Sequence, residues 1–201
     1  MTTSPGTVIA SIGAGKATDA AGNGNLPSTS TDNSVIYNTT APVASINLQD
    51  TSDSGISNTD NITNVASPIF NVAFDEAVTG LLSNDFSNVG TATGCSFAVG
   101  APTGNTYPVT VSGCSQGTLI VRLAAGAVTN GVNPNAQTDG PVVTIDRTGP
   151  NVTVNQALGQ ADPTNASPID FTVVFNEPVA GFVAGDVTLG GTVGGTLTGT
   201  V

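Results

Sequence analysis

The sequence predicts an all-β protein assembled from repeated β-sandwiches, and three observations carry that prediction. The first is composition: 201 residues hold no Trp, no His and only 3 Lys plus Arg. Thr, Ser, Asn, Gly, Ala and Val dominate. Thr and Val favour strands, Gly, Asn and Pro favour turns, and the usual builders of exposed helices are scarce. The second is patterning: short apolar runs alternate with polar residues along the whole chain, which separates it from a disordered polypeptide. The third is internal repetition.

Residues 6–15 (GTVIASIGAG) match 117–126 (GTLIVRLAAG), and 34–42 (SVIYNTTAP) match 142–150 (VVTIDRTGP) 108 residues later. Residues 66–76 (ASPIFNVAFDE) match 166–177 (ASPIDFTVVFNE) after a shift of one residue. This aligns Phe70, Val72 and Phe74 with Phe171, Val173 and Phe175. The period is that of an immunoglobulin-type sandwich and too long for one coil of a solenoid. The expected architecture is therefore tandem immunoglobulin-like β-sandwiches, one complete and flanked by two partial repeats. Residues 1–41 read as the closing strands of one repeat, 42–149 as a whole repeat and 150–201 as the opening half of the next.

Seven strands are expected in the whole repeat. In 43–48 the apolar Ala44 and Ile46 alternate with polar neighbours, and 69–74 sets Phe70, Val72 and Phe74 on one face. Short strands come next near 86–89 and 95–99, then 107–111, 118–123 and 141–145. The expected core is Ala44, Ile46, Phe70, Val72, Phe74, Phe97, Val109, Leu119, Val121, Leu123, Val143 and Ile145.

Cys95 and Cys114 flank a turn dipeptide, Gly104-Asn105, at their midpoint. Folding a hairpin there brings them face to face, so a cross-strand disulfide is expected, with two unpaired thiols as the alternative. Pairing implies an oxidising, extracytoplasmic compartment.

The net charge of -11 repels nucleic acid and anionic lipid, and clustered carboxylates attract divalent cations. No run is long enough for membrane insertion. The first five residues lack the basic and apolar parts of a secretory signal. Met1 reads as an artificial or truncated start, because the residues after it resemble the middle of a domain.

The order and spacing of several short motifs resemble bacterial Ig-like repeats. They are DRTGP at 146–150, NASP at 165–168, FNEPV at 175–179, DVT at 186–188 and the closing loop ATDAAGNGN at 17–25. Such repeats stand in tandem in large adhesins and other extracellular bacterial proteins. The resemblance implies an extracellular or cell-surface spacer or adhesive module, often stiffened by calcium, and no particular ligand.

No catalytic constellation is visible. There is no His, no Ser has a visible base, and the adjacent Asp75 and Glu76 at a strand end diverge. The Gly13-Ala14-Gly15 and Gly190-Gly191 stretches lack the strand–loop–helix setting of a phosphate cradle and read as turns. The chain is not expected to be an enzyme.

The carboxylates have one candidate role, as Ca²⁺ ligands. A seven-strand sandwich takes the chain in at one pole and out at the other. The first inter-strand loop, 50–61, then lies beside the outgoing linker with Asp146, where the next repeat offers Asn176, Glu177 and Asp186. The candidate metal ligands are thus Asp50, Asp53, Asp60, Asp146, Glu177 and Asp186. A site confined to 50–61 is a second reading, and plain turn formation by these Asp and Asn residues is a third. At the upstream junction Asn38 replaces Asp146, leaving Asp75, Glu76 and Asp85, so a weaker site is expected there.

The leading functional expectation is a structural and adhesive spacer whose partners are the neighbouring repeats of the same chain, with a host or surface ligand unnamed. The alternatives are a glycan- or protein-binding module and an accessory domain of a secreted multidomain enzyme. Val8, Ile12 and Val35 near one end, and Phe171, Val173 and Phe175 near the other, are expected to form bare apolar faces. Those faces either fray or join head to tail between molecules.

Overall fold

A computed structural model of the chain describes residues 4–201; Met1, the expected artificial or truncated start, lies outside the described residues. The strands are β1 (Gly6–Ile9), β2 (Ser34–Tyr37), β3 (Ala44–Leu48), β4 (Ile62–Thr63), β5 (Ile69–Phe74), β6 (Phe86–Asn88) and β7 (Ser96–Val99). They continue with β8 (Thr106–Ser112), β9 (Gly117–Leu119), β10 (Val121–Leu123), β11 (Thr138–Asp139), β12 (Val143–Ile145), β13 (Val152–Gln156) and β14 (Phe171–Phe175).

Strict alternation makes β3 and β5 one-sided strands, and they begin the first layer, an antiparallel sheet in the order β3-β5-β8-β7. The second layer consists of β11-β10-β6 and β4-β12-β9. The core lies between the layers. Phe70, Val72, Val109 and Val111 line it from the first, and Leu119, Val121, Leu123, Val143 and Ile145 from the second, each fully buried or nearly so. Each contributes on the order of 1.5–3 kcal/mol by leaving water. The chain is thus an all-β, immunoglobulin-like β-sandwich.

Three sequence expectations need correction. The expected strand 118–123 is split at Ile120. There the Asn88 side-chain carbonyl accepts the Ile120 N–H at 2.8 Å, taking it out of the ladder. Two short strands, β4 and β11, were not foreseen, because two-residue pairings carry no periodic signal. Finally, Phe97 is only partly buried, on an edge strand, where it stacks on Phe86. Leu48, Val78, Phe86, Val111 and Val128 are core residues outside the expected set.

The loop after β3 is also more than a hairpin connection. It carries the chain across the sandwich, from antiparallel pairing with β5 in the first layer to parallel pairing of β4 with β12 in the second.

The chain divides into two compact units, Met1–Arg147 and Thr148–Val201. The first contains the sandwich and the β1–β2 hairpin, and the second contains the β13–β14 hairpin. Both hairpins copy pairings of the sandwich residue for residue. Gly6 pairs with Tyr37 and Val8 with Val35, as Gly117 pairs with Ile145 and Leu119 with Val143. Val152 pairs with Phe175 and Val154 with Val173, as Ala44 pairs with Phe74 and Ile46 with Val72. Side-chain bonds repeat too. Asp75 and Asn176 each accept a backbone N–H across their hairpin, from Val43 at 2.8 Å and Asn151 at 2.7 Å. Asp85 and Asp186 each accept the N–H three residues back, at 2.7 and 2.9 Å, to cap matching 3-10 turns. Among the described residues no helix is long and apolar enough to cross a membrane.

Candidate functional site

At the outgoing end of the sandwich, β4 lies beside β12 and the loop leading into β4 is held by its own polar groups. A 3-10 turn at Asp50–Ser52 comes directly after β3. The Ser52 hydroxyl accepts the Ile69 N–H at 2.9 Å, and the Ser52 carbonyl accepts the Thr63 hydroxyl at 2.6 Å. Asp53 is buried, and its Oδ2 accepts the Asn61 N–H at 3.0 Å. Asn61 takes a left-handed φ of 57°, which Asn tolerates better than most residues, and its carbonyl accepts the Thr144 N–H at 2.8 Å. Asp60 Oδ1 accepts the Ile62 N–H at 3.1 Å, as a turn former does.

Of the six candidate metal ligands, Asp50, Asp53 and Asp60 share this loop. The Asp146 N–H donates to the Thr63 carbonyl at 3.0 Å, which sets the outgoing linker beside the same segment. Glu177 and Asp186 belong to the second compact unit, where the Asp186 carboxylate already caps its own turn. Asp53 is distinctive: its Oδ1 is buried and has no hydrogen-bond partner. Among the described residues no three His, Cys, Asp or Glu side chains converge as a metal-holding group.

Cys95 and Cys114 form a disulfide with Cα atoms 4.2 Å apart. The hairpin around them is less regular than simple symmetry about the turn requires. Thr103 bridges Thr106 around the Gly104-Asn105 turn as expected, but the strands pair Ser96 with Ser112 and Val99 with Val109, one residue out of step. Gly113, at a left-handed φ of 75°, restores the step and brings Cys114 opposite Cys95.

Residues that fix the linkers were not singled out from the sequence. On the incoming side, the Asn130 side-chain amide donates to the Thr40 carbonyl at 2.9 Å and to Glu76 Oε1 at 2.8 Å. The Asn133 amide donates to the carbonyls of Asn38 and Thr40, both at 3.1 Å. On the outgoing side, the Arg147 guanidinium donates to the carbonyls of Cys114 at 3.0 Å and Val65 at 3.2 Å. The Arg147 N–H donates to the Gln116 side chain at 2.6 Å. The signal in the sequence was weak: a short Asn-rich loop, and a rare cation at a linker.

Surface electrostatics centre on one bidentate pair. Arg122 donates through Nε and Nη2 to Asp139 at 2.6 and 2.7 Å, directly across the β10–β11 register. That hydrogen bonding holds the Asp139 carboxyl below the ordinary carboxylate range and raises the guanidinium. Asp19 is lowered chiefly by the Asn23 side-chain amide that donates to it.

The arrangement offers loops held by their own hydrogen bonds, a linker hydrogen-bonded to the sandwich at each end and one buried, half-satisfied carboxylate. A family model described as a bacterial Ig-like domain matches residues 40–147. No curated protein and no solved structure gives a match.

Proposed function

This chain belongs to the bacterial Ig-like domain family, and from that premise we propose that it is a non-catalytic structural module of an extracellular or cell-surface protein, stacked end to end with neighbouring repeats as an adhesive spacer. The observation that carries this reading is the clamping of the linkers. The incoming carbonyls of Asn38 and Thr40 are held by Asn130 and Asn133, and the outgoing Arg147 is tied to Val65, Cys114 and Gln116. A spacer must transmit reach, and a linker whose backbone is hydrogen-bonded to the domain body does so. The copied registers at both ends support a tandem arrangement, and the Cys95–Cys114 bridge supports an oxidising compartment.

Backbone ¹⁵N relaxation tests the spacer reading. Residues 38–42 and 145–148 are expected to be as rigid as the strands, with order parameters of about 0.85. Values below about 0.6 at both linkers would describe beads on a flexible string, and the spacer reading would fail.

Calcium stiffening is part of this proposal, and the residues of the crossover loop fit it in one respect. The unpartnered buried oxygen of Asp53 is a hard, anionic ligand of the kind Ca²⁺ takes. Backbone carbonyls, hydroxyls and water would complete the shell around it. Asp50 and Asp60 supply further negative charge on the same loop.

A further inference from the structure

We propose that Asn130-Gly131 is a self-modification site: the Asn130 side chain loses its amide through a cyclic imide, and the carboxylate left behind undoes the clamp on the incoming linker. The inference rests on the hydrogen bonds around these two residues, not on the spacer role.

Asn-Gly occurs twice in the chain, at Asn23-Gly24 and Asn130-Gly131. Such a pair cyclises readily because glycine sets no side chain beside the attacking nitrogen. Gly131 is exposed, and a side chain there would meet no atom within 4 Å, so the ring has room to close. Three features of the fold favour the step. The Gly131 N–H donates to Thr129 Oγ1 at 3.0 Å, so the proton that the nitrogen sheds points at an acceptor. The N–H groups of Val132 and Asn133 donate to Asn130 Oδ1 at 3.2 and 2.9 Å, where negative charge develops as the amide carbon becomes tetrahedral. Glu76 Oε1 accepts from the Asn130 amide at 2.8 Å, beside the leaving group. In the step itself the Gly131 nitrogen attacks Asn130 Cγ and the new C–N bond forms. The Cγ–Nδ2 bond breaks, and the proton shed by Gly131 passes through the Thr129 hydroxyl and solvent to Nδ2, which leaves as ammonia. Water then opens the imide and leaves aspartate or its isoaspartyl isomer at 130, so no oxidant or further reactant is needed.

The product reverses the chemistry of the clamp. The Asn130 amide is the donor that holds the Thr40 carbonyl and Glu76, and an ionised carboxylate has no hydrogen to donate. The new acid faces the Thr40 carbonyl acceptor against acceptor, and it repels the Glu76 carboxylate as a like charge. The isoaspartyl form also adds one carbon to the backbone of the 130–133 turn. That shifts Asn133, whose amide holds the carbonyls of Asn38 and Thr40. Both holds on the incoming linker then fail together.

Peptide-mapping mass spectrometry of the folded 201-residue chain, aged in mildly alkaline buffer, tests the chemistry. Asn23-Gly24, exposed in the loop between β1 and β2, is the internal reference. Asn130 is expected to convert at least as fast as Asn23, and Thr129→Val is expected to slow Asn130 alone. An Asn130 amide still intact when half of Asn23 has converted, or a Thr129→Val variant that converts as the wild type does, would overturn self-modification by the fold. Backbone ¹⁵N relaxation of the same samples tests the consequence. Order parameters over 38–42 are expected to fall from about 0.85 in fresh protein to below about 0.6 once Asn130 has converted. Asn130→Asp is expected to lower them without ageing. Adding Glu76→Gln, which gives the acid at 130 a donor in place of a like charge, is expected to restore them. A linker that stays as rigid after conversion as before, or a double variant no more rigid than Asn130→Asp, would overturn the release of the clamp. The mass readout does not depend on linker rigidity, so failure of the spacer reading, which shows as a mobile linker in fresh protein, is told apart from failure of the modification.

Discussion

Asp53 accepts the backbone N–H of Asn61 at 3.0 Å through one carboxylate oxygen and buries the other with no hydrogen-bond partner. The first contact seats β4 on β12, because Asn61 in turn accepts the Thr144 N–H. The second is a cost, since a buried polar atom that loses water without gaining a partner is unfavourable by about 1–3 kcal/mol. A cation would relieve it. Millimolar Ca²⁺ is therefore expected to raise the melting temperature of the wild type, by up to about 2.7 kcal/mol of stability at a hundredfold excess over Kd. Asp53→Asn should abolish the response and Asp60→Asn should weaken it. A wild-type melting temperature that ignores Ca²⁺ would remove the loop site from the proposal and leave the spacer reading in place.

The Cys95–Cys114 bridge ties the edge strand β7 to β8. Cross-linking a loop of this length stabilises by about 3 kcal/mol, through the unfolded chain. Reduction, or Cys95→Ser with Cys114→Ser, is expected to lower stability by about that amount. Loss should be local first: amides of Ser96–Val99 exchange sooner, while those of the central β5 hold. Equal loss of protection in β5 and β7 at low denaturant would show that the bridge supports the whole sandwich, not its edge.

The features legible in the sequence are those whose forces leave a periodic trace. One-sided burial does: Phe70, Val72 and Phe74 alternate, and β5 falls at the expected residues. Side-chain-to-backbone bonding does not. Nothing in the pattern distinguishes Asn88, which breaks the strand at Ile120, from an ordinary turn residue, nor Asn130 and Asn133, which hold the incoming linker. The Asp-rich loop was legible as polar and turn-forming. Its crossing between layers was not, because β4 has only two residues and its partner is decided by tertiary pairing. Of its carboxylates, only Asp53 is buried, and burial of a single Asp among Ser and Gly has no local signature.

The Arg122–Asp139 pair gives the surface a pH dependence whose sign is fixed. Hydrogen bonding to Arg122 lowers the Asp139 carboxyl from its ordinary value of 3.8 in the folded state. The contribution is therefore complete above the unfolded pKa and is lost as pH falls through the lower, folded value. Arg122→Gln is expected to lower the melting temperature slightly at about pH 7, with the difference from wild type closing in strong acid. High salt should shrink the difference as well, because both groups are exposed to solvent. A difference that persists undiminished at about pH 2 would assign the effect to lost packing of the Arg122 stem.

Asn135 and Asn25 make the same bonds in different surroundings, which turns them into a controlled comparison. The Asn135 side chain accepts the Val128 N–H at 2.9 Å and donates to the carbonyls of Ala124 at 2.9 Å and Ala136 at 2.8 Å. The Asn25 side chain accepts the Ala17 N–H at 2.8 Å and donates to Gly13 at 3.0 Å and Leu26 at 2.6 Å, with one bond more, from the Lys16 N–H at 2.7 Å. Asn135 is buried, so Asn135→Ala strands the buried Val128 N–H, while the carbonyls of the exposed Ala124 and Ala136 can turn to water. One such buried group left without a partner predicts a loss of about 1–3 kcal/mol. Asn25 is only partly buried, and water replaces what Asn25→Ala removes, so its loss is expected at about 0.5–1 kcal/mol. Because Asn25 lies outside the sandwich, its substitution should leave the main unfolding transition unmoved and appear only as faster exchange of the Gly15 and Ala17 amides. Chemical denaturation and hydrogen exchange of the two variants measure both. Equal global losses would mean that the β1–β2 hairpin unfolds cooperatively with the sandwich.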